Sequence, residues 1–123
     1  MRKHRNVAAT IAVVAVIAAS LFVLGGVAQA KTYNTRVSID YADGHFVGKL
    51  SSGSGECEVH RVVKIFKKTG DGKVLSGKDT TNNRGRYNVE LMTANGKYFA
   101  RAVKTTPMAD TICRRADSDT ITV

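Results

Sequence analysis

The stretch GKDTTNNRGRYNVEL, Gly77 to Leu91, decides how the rest of the chain is read. It opens with polar residues, passes through Asn82-Asn83-Arg84-Gly85, and ends by alternating Tyr87, Val89 and Leu91 with polar residues. Asparagine and glycine enter left-handed backbone conformations at little cost. Period-two alternation turns one side of an extended segment toward a core. The stretch therefore reads as the end of one strand at Thr81, a turn, and a new strand over Arg86–Leu91. It is turn chemistry between strands, not a binding loop or a catalytic fragment.

Working outward, the same pattern recurs. Strands are predicted over Tyr33–Asp40, His45–Ser51, Val59–Lys67, Lys73–Thr81, Arg86–Leu91, Lys97–Lys104 and Asp117–Val123. Turn residues separate them, among them Ala42-Asp43-Gly44, Thr69-Gly70-Asp71-Gly72 and Ala94-Asn95-Gly96. Phe46, Gly48 and Leu50 share a face, and Gly48 leaves room for a neighbouring side chain or a bulge. In VHRVVKIFKK, Val63 and Ile65 are expected in the core, on the same side as Arg61. Lys73–Thr81 is polar and lysine-bearing, as befits a sheet edge. Thr105–Ala116 holds the chain's one proline, Pro107, and reads as an irregular excursion. Seven short strands without a helix of ordinary length after Lys31 predict an all-β fold, a seven-strand antiparallel sandwich of two sheets.

The N-terminus has a different character. Arg2, Lys3 and Arg5 precede an uncharged apolar run from Val7 to Val27, and Ala28-Gln29-Ala30 follows. That is the layout of a signal peptide, here residues 1–30 with an apolar helical segment, cut before Lys31. The apolar run is longer than the usual ~7–15 residues, so an uncleaved membrane anchor is the competing reading. Cleavage leaves residues 31–123, the size of one small domain. It removes three basic residues and no acid, so the net charge falls from +9 to +6. The expected location is secreted or extracellular.

Cys57 and Cys113 are the two cysteines, and no Cys-x-x-Cys spacing exists. In an oxidising compartment an even pair reads as one structural disulfide. Closing so long a loop contributes roughly 4 kcal/mol in the chain-entropy account, which matters to a domain with a modest core.

Two runs carry a resemblance. Thr-Thr-Asn-x-x-Gly-x-Tyr-x-Val spans Thr80 to Val89, and Asn-Gly-Lys-Tyr-x-Ala-x-Val spans Asn95 to Val103. They resemble the hairpins of transthyretin-like and carboxypeptidase-regulatory-like β-sandwich modules, Ig-like in outline. With one cysteine before the central strand and one before the last, the chain looks like small secreted bacterial proteins of this type. The resemblance covers about Phe46 to Val123 and implies a sandwich. It implies no ligand site, because the features of a transthyretin hormone site have no counterpart here. Such folds host many unrelated roles.

Catalytic sets are hard to assemble from these residues. Lys68-Thr69-Gly70 lacks the Ser-x-x-Lys nucleophile that accompanies it in penicillin-binding enzymes. A Ser-His-Asp arrangement would need His45 or His60, both expected on exposed strand positions. No calcium or zinc ligand set and no cofactor is expected. The positive charge is the property most suggestive of function. Arg61, Lys64, Lys67, Arg86 and Arg101 are the candidate basic contact surface, with Phe66 and Phe99 as candidate exposed aromatics. Outside a cell the partner would be an anionic envelope polymer rather than a dedicated nucleic acid, with the membrane touched only through the signal segment. The expected role is a non-enzymatic structural or binding module at the cell envelope. The alternative is an inhibitor or effector that meets a partner protein through residues 105–115. Exported protein should begin at Lys31 on N-terminal sequencing; an intact Met1 on membrane-bound material would establish the anchor instead.

Overall fold

The computed structural model describes residues 29–123, and most of the signal peptide expected over residues 1–30 lies outside them. Twelve strand segments follow in order. They are β1 (Lys31–Tyr33), β2 (Thr35–Val37), β3 (Asp40–Ala42), β4 (His45–Ser52), β5 (Val62–Thr69), β6 (Gly72–Thr80), β7 (Arg86–Glu90), β8 (Lys97–Ala102), β9 (Thr105–Met108), β10 (Thr111–Cys113), β11 (Ala116–Asp117) and β12 (Ile121–Thr122). In the first sheet β4 is central, with β2 and β3 along one edge and β7 along the other, all antiparallel. In the second, β5 lies between β6 and β8, and β11 and β12 continue on β8. A small third sheet joins β1, β10 and β9, with β1 and β10 parallel.

One core unites the first two sheets. Phe46, Leu50, Tyr87 and Val89 come from the first; Val63, Ile65, Tyr98, Ala100 and Ala102 come from the second. These are the inward residues of the alternation, so the apolar pattern places the layers as expected for an all-β chain. The opening stretch behaves as a turn. Gly85 takes φ +72°, and Asn82 Oδ1 accepts hydrogen bonds from the backbone N–H of Arg84 (2.9 Å) and Arg86 (3.1 Å). The turn does not close a hairpin, however. β6 and β7 belong to different sheets, so it carries the chain from one layer to the other.

The count of twelve, rather than seven, has local causes. The predicted first strand splits into β1, β2 and β3, and the last into β11 and β12. Both splits are edge irregularities bridged by a serine. Ser38 donates its N–H to Lys49 O (3.0 Å) while its Oγ accepts from Lys49 N–H (2.9 Å). Ser118 does the same to Ala100, at 2.8 Å in both directions. A hydroxyl stands in for the carbonyl that the ladder would have used, which keeps the edge paired across the break. The excursion predicted over Thr105–Ala116 contains β9 and β10, which pair with each other. The predicted strand Val59–Lys67 begins later, at Val62, because a 3-10 turn over Gly55–Cys57 and a left-handed His60 (φ +51°) precede it. Gly48 fills its expected role. A Cβ there would collide with Ser38 O and the Tyr87 ring, whose hydroxyl donates to Ser38 O at 2.6 Å.

Cys57 and Cys113 form the disulfide, tying the 3-10 turn to β10 with 5.5 Å between Cα atoms. Beside it lies the largest correction to the sequence reading. Arg61, predicted on a contact surface, is 1% exposed. It sits on the same side as Val63 and Ile65, and that inward side carries it into the interior. Its Nε donates to Val103 O (3.0 Å), Nη1 to Thr35 Oγ1 (2.6 Å) and Cys57 O (3.0 Å), and Nη2 to Arg114 O. Its backbone N–H donates to Thr81 Oγ1 at 2.9 Å, and Thr81 Oγ1 donates to Glu58 O at 2.7 Å. Desolvation lowers its pKa from the usual arginine value.

Two stability predictions follow from this packing. Arg61→Met retains the volume and strands buried acceptors, each costing ~1–3 kcal/mol, so chemical denaturation should show a loss of about 3 kcal/mol or more. A loss under 1 kcal/mol would mean that water replaces the guanidinium. Burial also raises the Tyr87 pKa above its ordinary 10.0. The folded state then holds a proton that the unfolded chain releases, so this contribution is complete below pH 10 and is lost as pH rises toward the folded value. Wild-type stability should fall above about pH 10, and Tyr87→Phe should flatten that part of the profile.

Candidate functional site

The outer face of the second sheet gathers the charge. With Val63 and Ile65 turned inward on β5, the intervening Lys64, Phe66 and Lys68 point outward. With Tyr98, Ala100 and Ala102 inward on β8, Lys97, Phe99 and Arg101 point outward. The register aligns these positions in rows. Lys78, Lys64 and Arg101 are cross-strand neighbours; so are Leu75, Phe66 and Phe99; so are Lys73, Lys68 and Lys97. Two rows of three cations thus flank one apolar row, on strands about 4.8 Å apart.

A bulge makes the third column possible. Pairing between β5 and β6 shifts after Ile65, which meets Gly77, while Phe66 meets Leu75. Ser76 is the extra residue. With regular alternation through Ser76 and no bulge, Leu75 and Lys73 would fall on the other side of the strand. Gly77 faces inward, where an added Cβ would strike Val89. A glycine inside a strand often marks such a bulge, and that was the available sequence signal for Lys73 as a member of the face, whereas Lys68 and Lys97 follow from alternation on β5 and β8.

The aromatic pair is covered, not open. Phe66 and Phe99 stack with centroids 5.5 Å apart and planes 26° from parallel. Arg101 Cζ lies 5.3 Å from the Phe66 centroid and 5.5 Å from that of Phe99; Lys73 Nζ is 5.3 Å from Phe66, and Lys68 Nζ is 5.7 Å from Phe99. Phe99 is consequently 6% exposed, which corrects its expected place as an exposed aromatic; Phe66 is half-buried. The aliphatic arms of the cations cover the rings, and the ring faces attract the heads.

Arg101 also grips Asp117, with Nε–Oδ1 at 2.7 Å and Nη2–Oδ2 at 3.0 Å. This hydrogen bonding is the main reason the Asp117 pKa lies below its ordinary value and that of Arg101 above. It is the one ion pair among the described residues, so the other five cations of the rows carry no partner carboxylate.

Of the predicted basic set, Lys64 and Arg101 meet here. Lys67 has the opposite parity: its Nζ donates to Asn95 Oδ1 at 3.1 Å and lies 6.0 Å from the Tyr98 ring. Arg86 lies on the first sheet, opposite Lys49. Arg61 is interior. His45 Nδ1 pairs with Asn88 Oδ1 at 2.6 Å, while His60 is exposed beside the 3-10 turn, so the two histidines share no site. Among the described residues no group of three or more His, Cys, Asp or Glu side chains could hold a metal ion. No helix of the described residues is long and apolar enough to cross a membrane. No protein-family model matches the sequence, and no curated protein matches it.

Proposed function

We propose that this chain is a secreted, non-enzymatic β-sandwich of the Ig-like or transthyretin-like kind that holds an anionic polymer of the cell envelope against the rows of Lys78, Lys64 and Arg101 and of Lys73, Lys68 and Lys97. The observation that carries the reading is the array itself: six cations in cross-strand register, five without a carboxylate. Directly opposed like charges destabilise a sheet, so an array of this kind gains when a polyanion neutralises it. The disulfide is compatible with an extracellular site of action.

Ring geometry narrows the polymer class. Proteins that bind single-stranded nucleic acid offer open aromatic faces on which bases stack. Here cations occupy those faces, so the surface suits a polymer recognised by charge alone, such as an acidic wall polymer or polysaccharide. A second reading rests on the β9–β10 hairpin. The disulfide pins it at Cys113, and Met108 at its tip is 51% exposed, which suits an inhibitor presenting a rigid loop to a partner protein.

Retention on an anionic envelope fraction should be strong at low ionic strength and lost by about 0.5 M salt, because the screening length shrinks from ~8 Å at 0.15 M to ~3 Å at 1 M. Replacing Lys68 and Lys73 by alanine should lower the slope of log affinity against log salt by about two, one per lost contact. Asp117→Asn, which frees Arg101, should strengthen binding. Binding that ignores both salt and these variants, yet is lost when residues 105–110 are replaced, would transfer the function to the hairpin.

A further inference from the structure

A groove of about 580 Å³, lined by the first sheet and by Asp79 and Thr80 of β6, is not used by the polymer-binding reading. Ile39, Val47, Gly48 and Tyr87 line it, and the rest of its lining is polar or charged. The lining is electrically divided. Lys49 on β4 and Arg86 on β7 are directly opposed across the ladder, both exposed. Among the described residues neither side chain makes a hydrogen bond or ion pair with an acid. Two like charges placed opposite each other repel, and neither is held in a close ion pair.

The rest of the lining supplies a mixed set of donors and acceptors. Asp79 uses Oδ2 to accept from Asn88 N–H at 2.8 Å, which leaves Oδ1 available. Asp40 uses Oδ1 to accept from Tyr41 N–H at 2.8 Å, which leaves Oδ2 available. The Oδ1 of Asn88 is engaged by His45 at 2.6 Å, and the Oδ1 of Asn82 by the turn, so each amide has its NH₂ to offer. These commitments aim the side chains without using up their capacity.

We infer that this groove binds a short acidic saccharide. Its carboxylate would sit between Lys49 and Arg86, its hydroxyls would meet Asp40, Asp79 and Asn88, and its C–H face would lie over Val47. Hydroxyls both donate and accept, which matches a lining that presents free carboxylate oxygens beside free amide protons. The volume is that of a small-ligand site rather than of a polymer track. The groove borders β6, but Asp79 has the parity of inward Val63 and Lys78 that of outward Lys64, so the two residues point to opposite sides of the strand.

Titration of isotope-labelled protein with digalacturonate, followed by amide NMR, tests the assignment. Shifts should concentrate at Lys49, Arg86, Asn88 and Asp79. Lys49→Ala and Arg86→Ala should each weaken binding about tenfold or more, the effect of losing a charge-assisted hydrogen bond. Both side chains are exposed and mutually repulsive, so a thermal midpoint that does not fall separates lost binding from lost folding. A neutral disaccharide binding equally well would overturn the role of the cation pair. Inorganic phosphate binding as tightly at the same amides would overturn the saccharide class. Replacing Lys68 and Lys73 should leave digalacturonate binding intact. If that pair abolished it, the ligand would be on the polymer face and the groove assignment would fall, whereas failure of polymer binding alone would leave the groove standing.

Discussion

The fold depends on a buried guanidinium. Arg61 reaches backbone carbonyls at Cys57, Val103 and Arg114 and the Thr35 hydroxyl, from four separate segments. No carboxylate takes part. The arrangement works because guanidinium presents several fixed donors, and chain segments that leave a sheet have carbonyls without ladder partners. Each bond to a charged donor is stronger than a neutral one, and the set satisfies groups that would otherwise be buried unpaired. A lysine could not do this, since one ammonium cannot reach four separated acceptors. The disulfide acts on the same segments by a different route: it limits the freedom of the unfolded chain, while Arg61 fixes where the segments sit once folded.

From that anchor the cation-bearing face follows. β5 begins immediately after Arg61, so the inward position of the guanidinium sets the parity of the whole strand. Arg61, Val63 and Ile65 go in; Lys64, Phe66 and Lys68 go out. The bulge at Ser76 then adds Leu75 and Lys73 to the same outer face, and it does so on an edge strand. A kinked, lysine-bearing edge resists pairing with other chains. The feature that completes the cation rows thus also protects the sheet. Serines mend the opposite edges: Ser38 on the first sheet and Ser118 on the second supply an acceptor where the backbone departs from the ladder.

Much of the core was legible from alternation alone. Phe46, Leu50, Val63, Ile65, Tyr87, Tyr98, Ala100 and Ala102 are where period two puts them, and the Asn82–Gly85 turn follows from its residue types. The disulfide was legible from an even cysteine count in a chain whose N-terminus reads as a signal peptide. The candidate site was legible only in fragments. Period two assigns faces within a strand but says nothing about register between strands, so the rows could not be seen. Arg61 shows the limit most clearly. Its spacing from Val63 pointed inward, but its charge argued for the surface, and the carbonyls that resolve the conflict come from residues 35, 57, 103 and 114, remote in sequence. Phe99 failed for a related reason: it does point outward, but Arg101 and Lys68 cover it, and cover by long side chains is a property of neighbours rather than of the residue itself.

The two faces of the molecule handle unpaired positive charge in different ways, and the difference bears on what each can recognise. On the second sheet the cations are partly accommodated by the protein: ring faces draw Lys68, Lys73 and Arg101, each contact worth ~0.5–1 kcal/mol when exposed, and Asp117 neutralises Arg101. The heads are spread across three strands, which suits a long flexible anion more than a ligand of one fixed geometry. On the first sheet Lys49 and Arg86 have no ring or acid to lean on. They line a groove whose other polar groups include ones aimed by bonds to the backbone and to His45. A diffuse array trades selectivity for reach, whereas a preoriented groove trades reach for selectivity. Both kinds of site are open to a molecule this small because its two sheets spend their inner faces on a single core and leave both outer faces to solvent.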